Sequence, residues 1–556
     1  MTIHLNDITA PAPSPDSLAA DHAVIDALLD KGELKTALAQ WDQQRREYAT
    51  WVALAQLRFQ QDTADEAAKA TRERADELGP VATGHEIAIK RRLLNGPDRA
   101  ALEAAVTSHV VRLWQADVMT FDPIIAARLE EENKLTASYT ELTASARLKI
   151  GGQEVNLSGL QPFAENLDRA TRHQAAQVKW QFFEQNGEKL DGIYNQLVKL
   201  RTSMARDLGY ESFIELGYKR MRRTDYDAAD VARYRDEIAT TVVPLLARLM
   251  EHRREAQDWH TLYAWDEPLI DPRGNPAPQG DHDTLVAAGQ EMFDRMDPQL
   301  GNFSRLMNES GFLDLKMRPS KAPGGFCDVF PTVGMPVIFA NFNGTHQDIG
   351  VFTHEMGHAL QCYESRNIGN LDTLWPTTEA CEIHSMTLEM LTYPQMGLLV
   401  GDNAVERFQK MHLESFLSLL VGCALGDHFQ HEVYANPGAT PAERHAMFRK
   451  LERRYMPWRN YGDIAYAETG ATWQRVLHYF LIPFYYIDYA LACCCALQFW
   501  VAARHAPEEA LQRYLALCAK GGSASFLDLL ESASLASPFE PGVLSGVVKD
   551  AEAILG

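Results

Sequence analysis

Apolar residues recur at three- and four-residue intervals along most of the chain, the spacing of one helix face. VIDALLDKGELKTALAQW and LEAAVTSHVVRLWQ carry it between residues 18 and 115 and predict an all-helical N-terminal region. The same period runs through 164–257, in LDGIYNQLVKLRTSMARDLGY and VARYRDEIATTVVPLLARLMEHRREA, and resumes after residue 349. DEPLIDPRGNPAPQGDHD (266–283) and RPSKAPGG (318–325) interrupt it with prolines and glycines. Directly afterwards GFCDVFPTVGMPVIFANFNGT (325–345) is rich in Phe and Val around a Pro/Gly turn, and predicts a strand hairpin. TAPAPSPDS (9–17) predicts a loose leader. The expectation is a mainly α chain with one small sheet, divided into a leader (1–17), a helical region (18–115) and a catalytic remainder (116–556).

One apolar run stands apart. VLHYFLIPFYYIDYALACCCALQFWVAA (476–503) is long enough to cross a bilayer. His478, Pro483 and Asp488 lie within it, and intramembrane ionisable groups are expensive. It predicts a buried helix lining a cavity, with no membrane contact.

Composition narrows the function. Apolar residues at 46% and charged residues at 23% are ordinary soluble-protein values. Lys+Arg 53 against Asp+Glu 75 gives a net charge of −22, a field that repels phosphate backbones and makes nucleic acid a poor partner. Eight cysteines, three of them consecutive (Cys493, Cys494, Cys495), read as buried thiols in a reducing compartment. MTIHLNDITAPAPSPDS has neither a basic nor an apolar signal region, so the expected location is the cytoplasm.

The chemistry concentrates in VFTHEMGHALQC (351–362). His354 and His358, four apart, project from one helix face and can reach a single zinc ion. Glu355 sits beside the metal, placed to take a proton from water. A catalytic zinc site needs a third protein ligand and an open position. The metzincin pattern would put Gly at 361 and His at 364, where this chain has Gln361 and Glu364. Glu364 lies six residues past His358, about 240° around the helix, pointing away. PTTEACEIHSMTLEML offers Glu379, Glu382 and Glu389 on one face, and spacing alone does not choose among them.

HEMGHALQ, followed 28 residues after its first His by EIHSMTLEM, resembles the thimet oligopeptidase and oligoendopeptidase F family of zinc peptidases. NFNGTHQDIGVFTHEMGHALQCYESR and ACEIHSMTLEMLTYP are most similar to its Pz-peptidase A branch. Gln361, where many relatives have His, fits that branch too. The resemblance is firm over 324–395, looser over 200–490, and does not reach 1–115. It implies that Glu382 is the third ligand and Glu389 its companion seven residues on. It also implies that GATWQRVLHYFLIPFYYIDYA supplies His478 and tyrosines facing the scissile bond, Tyr489 first, Tyr486 next, with Tyr485 beside them. The thimet branch has a glycine-rich loop in this block, which HYFLIPFYYIDY lacks.

The family further implies a two-lobed helical peptidase with a deep channel that admits flexible oligopeptides. The expected reaction is endopeptidase hydrolysis of short peptides with one zinc ion. Its water is acidified towards ~7, Glu355 is general base and then proton donor, and Tyr489 or His478 stabilises the oxyanion. Glu389, and in the same way Asp348, is a candidate to hold the N–H of a ligand His. The strand MPVIFANF (335–342) is a candidate edge for an extended peptide. The alternatives are an exopeptidase on the same site and a catalytically silent peptide-binding protein. The intact set of His354, Glu355, His358 and Glu382 speaks against the second. Cys362 reads as packing, His428 and His431 as solvated, and YKRMRR (218–223) as a helix face.

Overall fold

The computed structural model describes residues 3–555. With 71% of the residues helical, the chain is mainly α as expected. It forms two compact units, each assembled from three separated stretches. One comprises the chain up to Pro123, Pro278–Gly401 and Ala502–Leu535; the other comprises Ile124–Ala277, Asp402–Val501 and the chain from Ala536 on.

In the first unit the helices Pro15–Asp30, Leu34–Gln61 and Glu66–Leu94 follow in sequence. Ser14 accepts the amide of Ser17, and Asp65 those of Ala67 and Ala68, which fixes two of the helix starts. Ile25, Trp41, Ile89, Val110 and Trp114 meet in one core, the two indoles edge to face at 5.3 Å. Near the start of the chain the Leu5 amide donates to Ser310 O at 3.0 Å, and Ile8 is buried. Residues 15–17 already belong to the first long helix.

A buried carboxylate organises this unit. Asp372 accepts Arg45 Nη1 at 2.6 Å and Trp114 Nε1 at 2.9 Å, with Lys90 Nζ at 3.5 Å. Lys90, itself buried, also pairs with Asp117 at 2.7 Å. Charges taken this far from water persist only when paired. Three N-terminal helices thereby clamp the segment that joins the HEMGH helix to the helix bearing Glu382.

Two small sheets accompany the helices. β1 (Leu148–Ile150) and β2 (Gln153–Val155) make a hairpin in the second unit around Gly151-Gly152, both at positive φ. In the first unit β3 (Leu313–Lys316), β4 (Phe326–Phe330) and β5 (Met335–Phe342) form a sheet of order β3-β5-β4. The expected hairpin is there, β4 antiparallel to β5 from Phe326↔Phe339 to Phe330↔Met335. The expected edge is not. β5 pairs with β3 in parallel on its other side and is the middle strand. Its near-continuous apolar run is that of a strand buried on both faces, and the short LDLK segment that covers it has too few residues to read as a strand. The edge strands are β3 and β4.

The second unit is built on the helices Arg169–Asp207, Ala228–Ala256 and Val405–Ala435. The 476–503 run is not one helix. It forms Leu477–Leu481, turns through Pro483 and Phe484 at φ 69°, and enters the helix Asp488–His505. Tyr485–His505 is, among the described residues, the one stretch apolar and long enough to cross a membrane; Ala490–Leu497 within it are completely buried in protein. The turn is held by Arg223, which donates to Phe484 O at 2.6 Å and to Asp488 Oδ1 at 2.7 Å. YKRMRR is therefore more than a solvated helix face: its last arginine is buried at the start of the apolar helix.

His428 and His431 are not solvated either. His428 Nδ1 lies 3.1 Å from Tyr455 Oη, and His431 Nε2 3.2 Å from Tyr218 Oη, beside the buried Arg235–Asp427 pair. Burial pushes both imidazoles down to about 4; Arg235 presses the same way and Asp427 opposes. Between the unfolded value of ~6.5 and about 4 the unfolded chain binds more protons. This contribution to stability is complete above pH ~6.5 and is lost as the pH falls to about 4. The variant His428→Gln/His431→Gln should lose about 4 kcal/mol less stability than the wild type between pH 7 and pH 4.5. Urea unfolding at both pH values checks this; an equal acid loss contradicts it.

Candidate metal centre

The HEMGH helix spans His346–Glu364. Its entry is fixed by Asp348, which accepts the amides of Asn343 at 2.9 Å and Gly344 at 2.6 Å. That occupies Asp348 with the loop, and it holds no ligand histidine. The next helix, Thr378–Leu391, crosses this one closely. A Cβ at Gly357 would lie 2.6 Å from His384 O and from Ser385 Cα. Only glycine permits that approach, which brings Glu382 under the two histidines.

Glu382 Oε2 lies 3.3 Å from His354 Nε2 and 3.5 Å from His358 Nε2. Tetrahedral zinc with ligand distances of ~2.1 Å places its ligand atoms about 3.4 Å apart, so the spacing suits such an ion. His354 Nδ1 lies 2.8 Å from Glu389 Oε1, which fixes the ring and leaves Nε2 facing the cluster. Ser385 Oγ donates to Glu382 Oε2 at 3.0 Å. The three donor groups lie within 4.8 Å of one another.

The electrostatics tell the same story. Burial by itself would raise the Glu382 carboxyl, but His358 and His354 outweigh it and hold it well below the usual range. Burial would likewise lower the His354 imidazole, but Glu382 and Glu389 hold it well above its ordinary value. A proton shared among these groups is what a divalent cation displaces on binding. Glu355, 9% exposed, is pushed up by burial, with the imidazoles of His354 and His358 opposing. A carboxylate raised in this way is a better proton acceptor than an exposed one.

Of the three glutamates, Glu382 is the one that stands with both histidines. Glu379 is buried one turn earlier and takes the hydroxyl of Thr377 at 3.0 Å; Glu389 binds His354 from the far side. Gln361 is fully buried and donates to Ser365 Oγ at 2.9 Å and Leu374 O at 3.0 Å. Cys362 packs with Val329 and Leu374. Neither joins the cluster.

The second unit carries the His/Tyr block. His478 stacks on Tyr485 with ring centroids 5.4 Å apart, and lies 5.2 Å from Tyr486 and 5.7 Å from Tyr489. All four are half-buried. Burial raises the Tyr486 phenol, so it remains a neutral hydroxyl donor at any physiological pH. The part of the sequence that holds this block together, Arg223, lies more than 250 residues upstream and carries no motif.

Two family models match, the peptidase M3 N-terminal domain over residues 6–121 and peptidase family M3 over residues 294–547. The structure of Pz-peptidase A with an inhibitor superposes with a TM-score of 0.95 at 40% identity, over 99% of this chain and 98% of that one. The chain belongs to peptidase family M3. It is a metallopeptidase. Two proteins assigned as oligoendopeptidase F are similarly close. One is 41% identical, with a TM-score of 0.96 over 100% of this chain and 98% of that one. The other, from Bacillus anthracis str. Ames, is 37% identical, with a TM-score of 0.91 and the same coverage. Comparison with curated proteins finds no match. The M3 likeness extends through the N-terminal helices, where the sequence alone offered only helical periodicity.

Gly357→Ala should separate the crossing helices of this M3 site. Overpacking costs about 1–3 kcal/mol, and zinc affinity should fall at least roughly tenfold as the ligands spread. Gly350→Ala, on the same helix with nothing nearer than 4.0 Å to its Cβ, is the control and should be neutral. Urea unfolding and metal titration read both; equal behaviour of the two variants contradicts the crossing argument.

Proposed function

We propose that this M3 metallopeptidase is a zinc endopeptidase that hydrolyses internal bonds of short oligopeptides. The observation that carries the reading is the convergence of His354, His358 and Glu382 with the buried Glu355 beside them. When bound there, zinc supplies Lewis-acid polarisation of the scissile carbonyl and of the attacking water. His354, His358 and Glu382 would hold it, and Glu389 keeps His354 oriented towards them.

Glu355 takes a proton from water as the carbonyl is attacked and passes it to the leaving amine. His478 and the phenols of Tyr489 and Tyr486 are the donors proposed for the developing oxyanion. The outer side of β4, an edge strand beside β5, is the surface proposed for the peptide main chain, since a strand edge reads backbone with little demand on side chains. This replaces β5 in that role. The relatives named Pz-peptidase A and oligoendopeptidase F support endopeptidase action on short peptides.

Mass spectrometry of a mixed oligopeptide pool incubated with wild type or Glu355→Gln tests the reading. Internal cuts by the wild type should fall at least roughly a hundredfold in the variant. Trimmed termini without internal cuts would make the protein an exopeptidase. Cuts that survive unchanged in Glu355→Gln would remove Glu355 from the chemistry.

A further inference from the structure

We infer that the second unit holds a carboxylate-binding subsite for the peptide substrate, formed by Lys179 and Arg475. This rests on the peptidase reading above. A cavity of ≈ 270 Å³ lies in this unit, with Leu160, Trp180, Trp265 and Ile464 among its apolar walls. Its charged lining is one-sided: Arg172, Lys179, Arg459 and Arg475 stand against a single carboxylate, Glu267. Two of the cations are matched. Arg172 donates to Asp266 at 2.8 Å, and Arg459 to Glu267 at 3.0 Å. Lys179 and Arg475 pair with no carboxylate among the described residues, and Lys179 Nζ has only the Trp180 ring, 5.3 Å away.

Burial, reinforced by the like charges of Arg475 and Arg459, pushes the Lys179 ammonium down to about 7. Arg201, buried in the same unit, shows the opposite outcome: burial would lower it, but Tyr434 and its partner Glu132 at 2.6 Å hold it up. Arg475 is exposed at the cavity and Lys179 half-buried, and a half-buried ammonium without a counter-charge costs free energy that an incoming carboxylate offsets. The cavity is also tied to the chemistry. Arg475 stands three residues before His478, and the charges of Arg475 and Arg459 act on the Tyr486 phenol.

A peptide offers a carboxylate at its C-terminus or on an Asp or Glu side chain. The apolar walls beside the cations suit a terminal residue with an apolar side chain.

The test uses one peptide sequence as free acid, as C-terminal amide, and as an amide with Glu near its end. For the wild type, kcat/KM on the free acid should exceed that on the amide roughly tenfold, mostly through KM. Arg475→Gln and Lys179→Met should each bring the ratio towards one, while Arg475→Lys keeps part of it. Thermal unfolding checks that the variants are folded. Calorimetric binding of the free acid to Glu355→Gln gives a readout without turnover, and adding Arg475→Gln should weaken it about tenfold. Recovery with the Glu-containing amide alone would assign the carboxylate to a side chain. Acid and amides cleaved alike, or a ratio untouched in the variants, would overturn the subsite. Acid-dependent binding with no peptide cleaved would sustain the subsite and contradict the peptidase reading.

Discussion

The centre of this protein depends on a carboxylate buried between two imidazoles. Glu382 is almost fully shielded from water, and a charge in that position needs opposite charge at close range. His354 and His358 present their Nε2 atoms to it from the neighbouring helix, but only because Gly357 lets the two helices nearly touch. Put any side chain there and the donor atoms part. The glycine between the histidines is thus a packing requirement that serves the chemistry, and a metal ion is the cation that best satisfies the resulting set of donors.

The surroundings enforce this arrangement in two layers. Glu389 and Ser385 orient His354 and Glu382 directly. Further out, Asp372 ties the linker between the two helices to Arg45, Lys90 and Trp114 in the N-terminal helices. The N-terminal region matched by the M3 model is therefore part of the scaffold that positions Glu382. In the second unit Arg223 does comparable work for the His/Tyr block, gripping Phe484 O and Asp488 at its turn.

Much of this was legible in the sequence. Helical periodicity, the β4–β5 hairpin and the H-E-x-x-H spacing are local signals, and the resemblance around HEMGH and EIHSMTLEM picked Glu382 from three glutamates. What stayed hidden was set by long-range contacts. β3 is four residues long and gains its identity only beside β5, so the middle strand looked like an edge. Asp348 looked like a partner for histidine until its loop was folded back onto it. His428, His431 and Arg223 read as surface because polar residues usually are; each is enclosed by groups distant in sequence. The N-terminal helices carry no motif at all, and their role appears only once Asp372 meets Arg45 and Lys90.

The central claim is that His354, His358 and Glu382 together hold one zinc ion. Elemental analysis of the dialysed protein tests it most directly. One zinc per chain is predicted for the wild type and for Glu355→Gln, and none for Glu382→Ala. A full zinc content in Glu382→Ala would contradict the account.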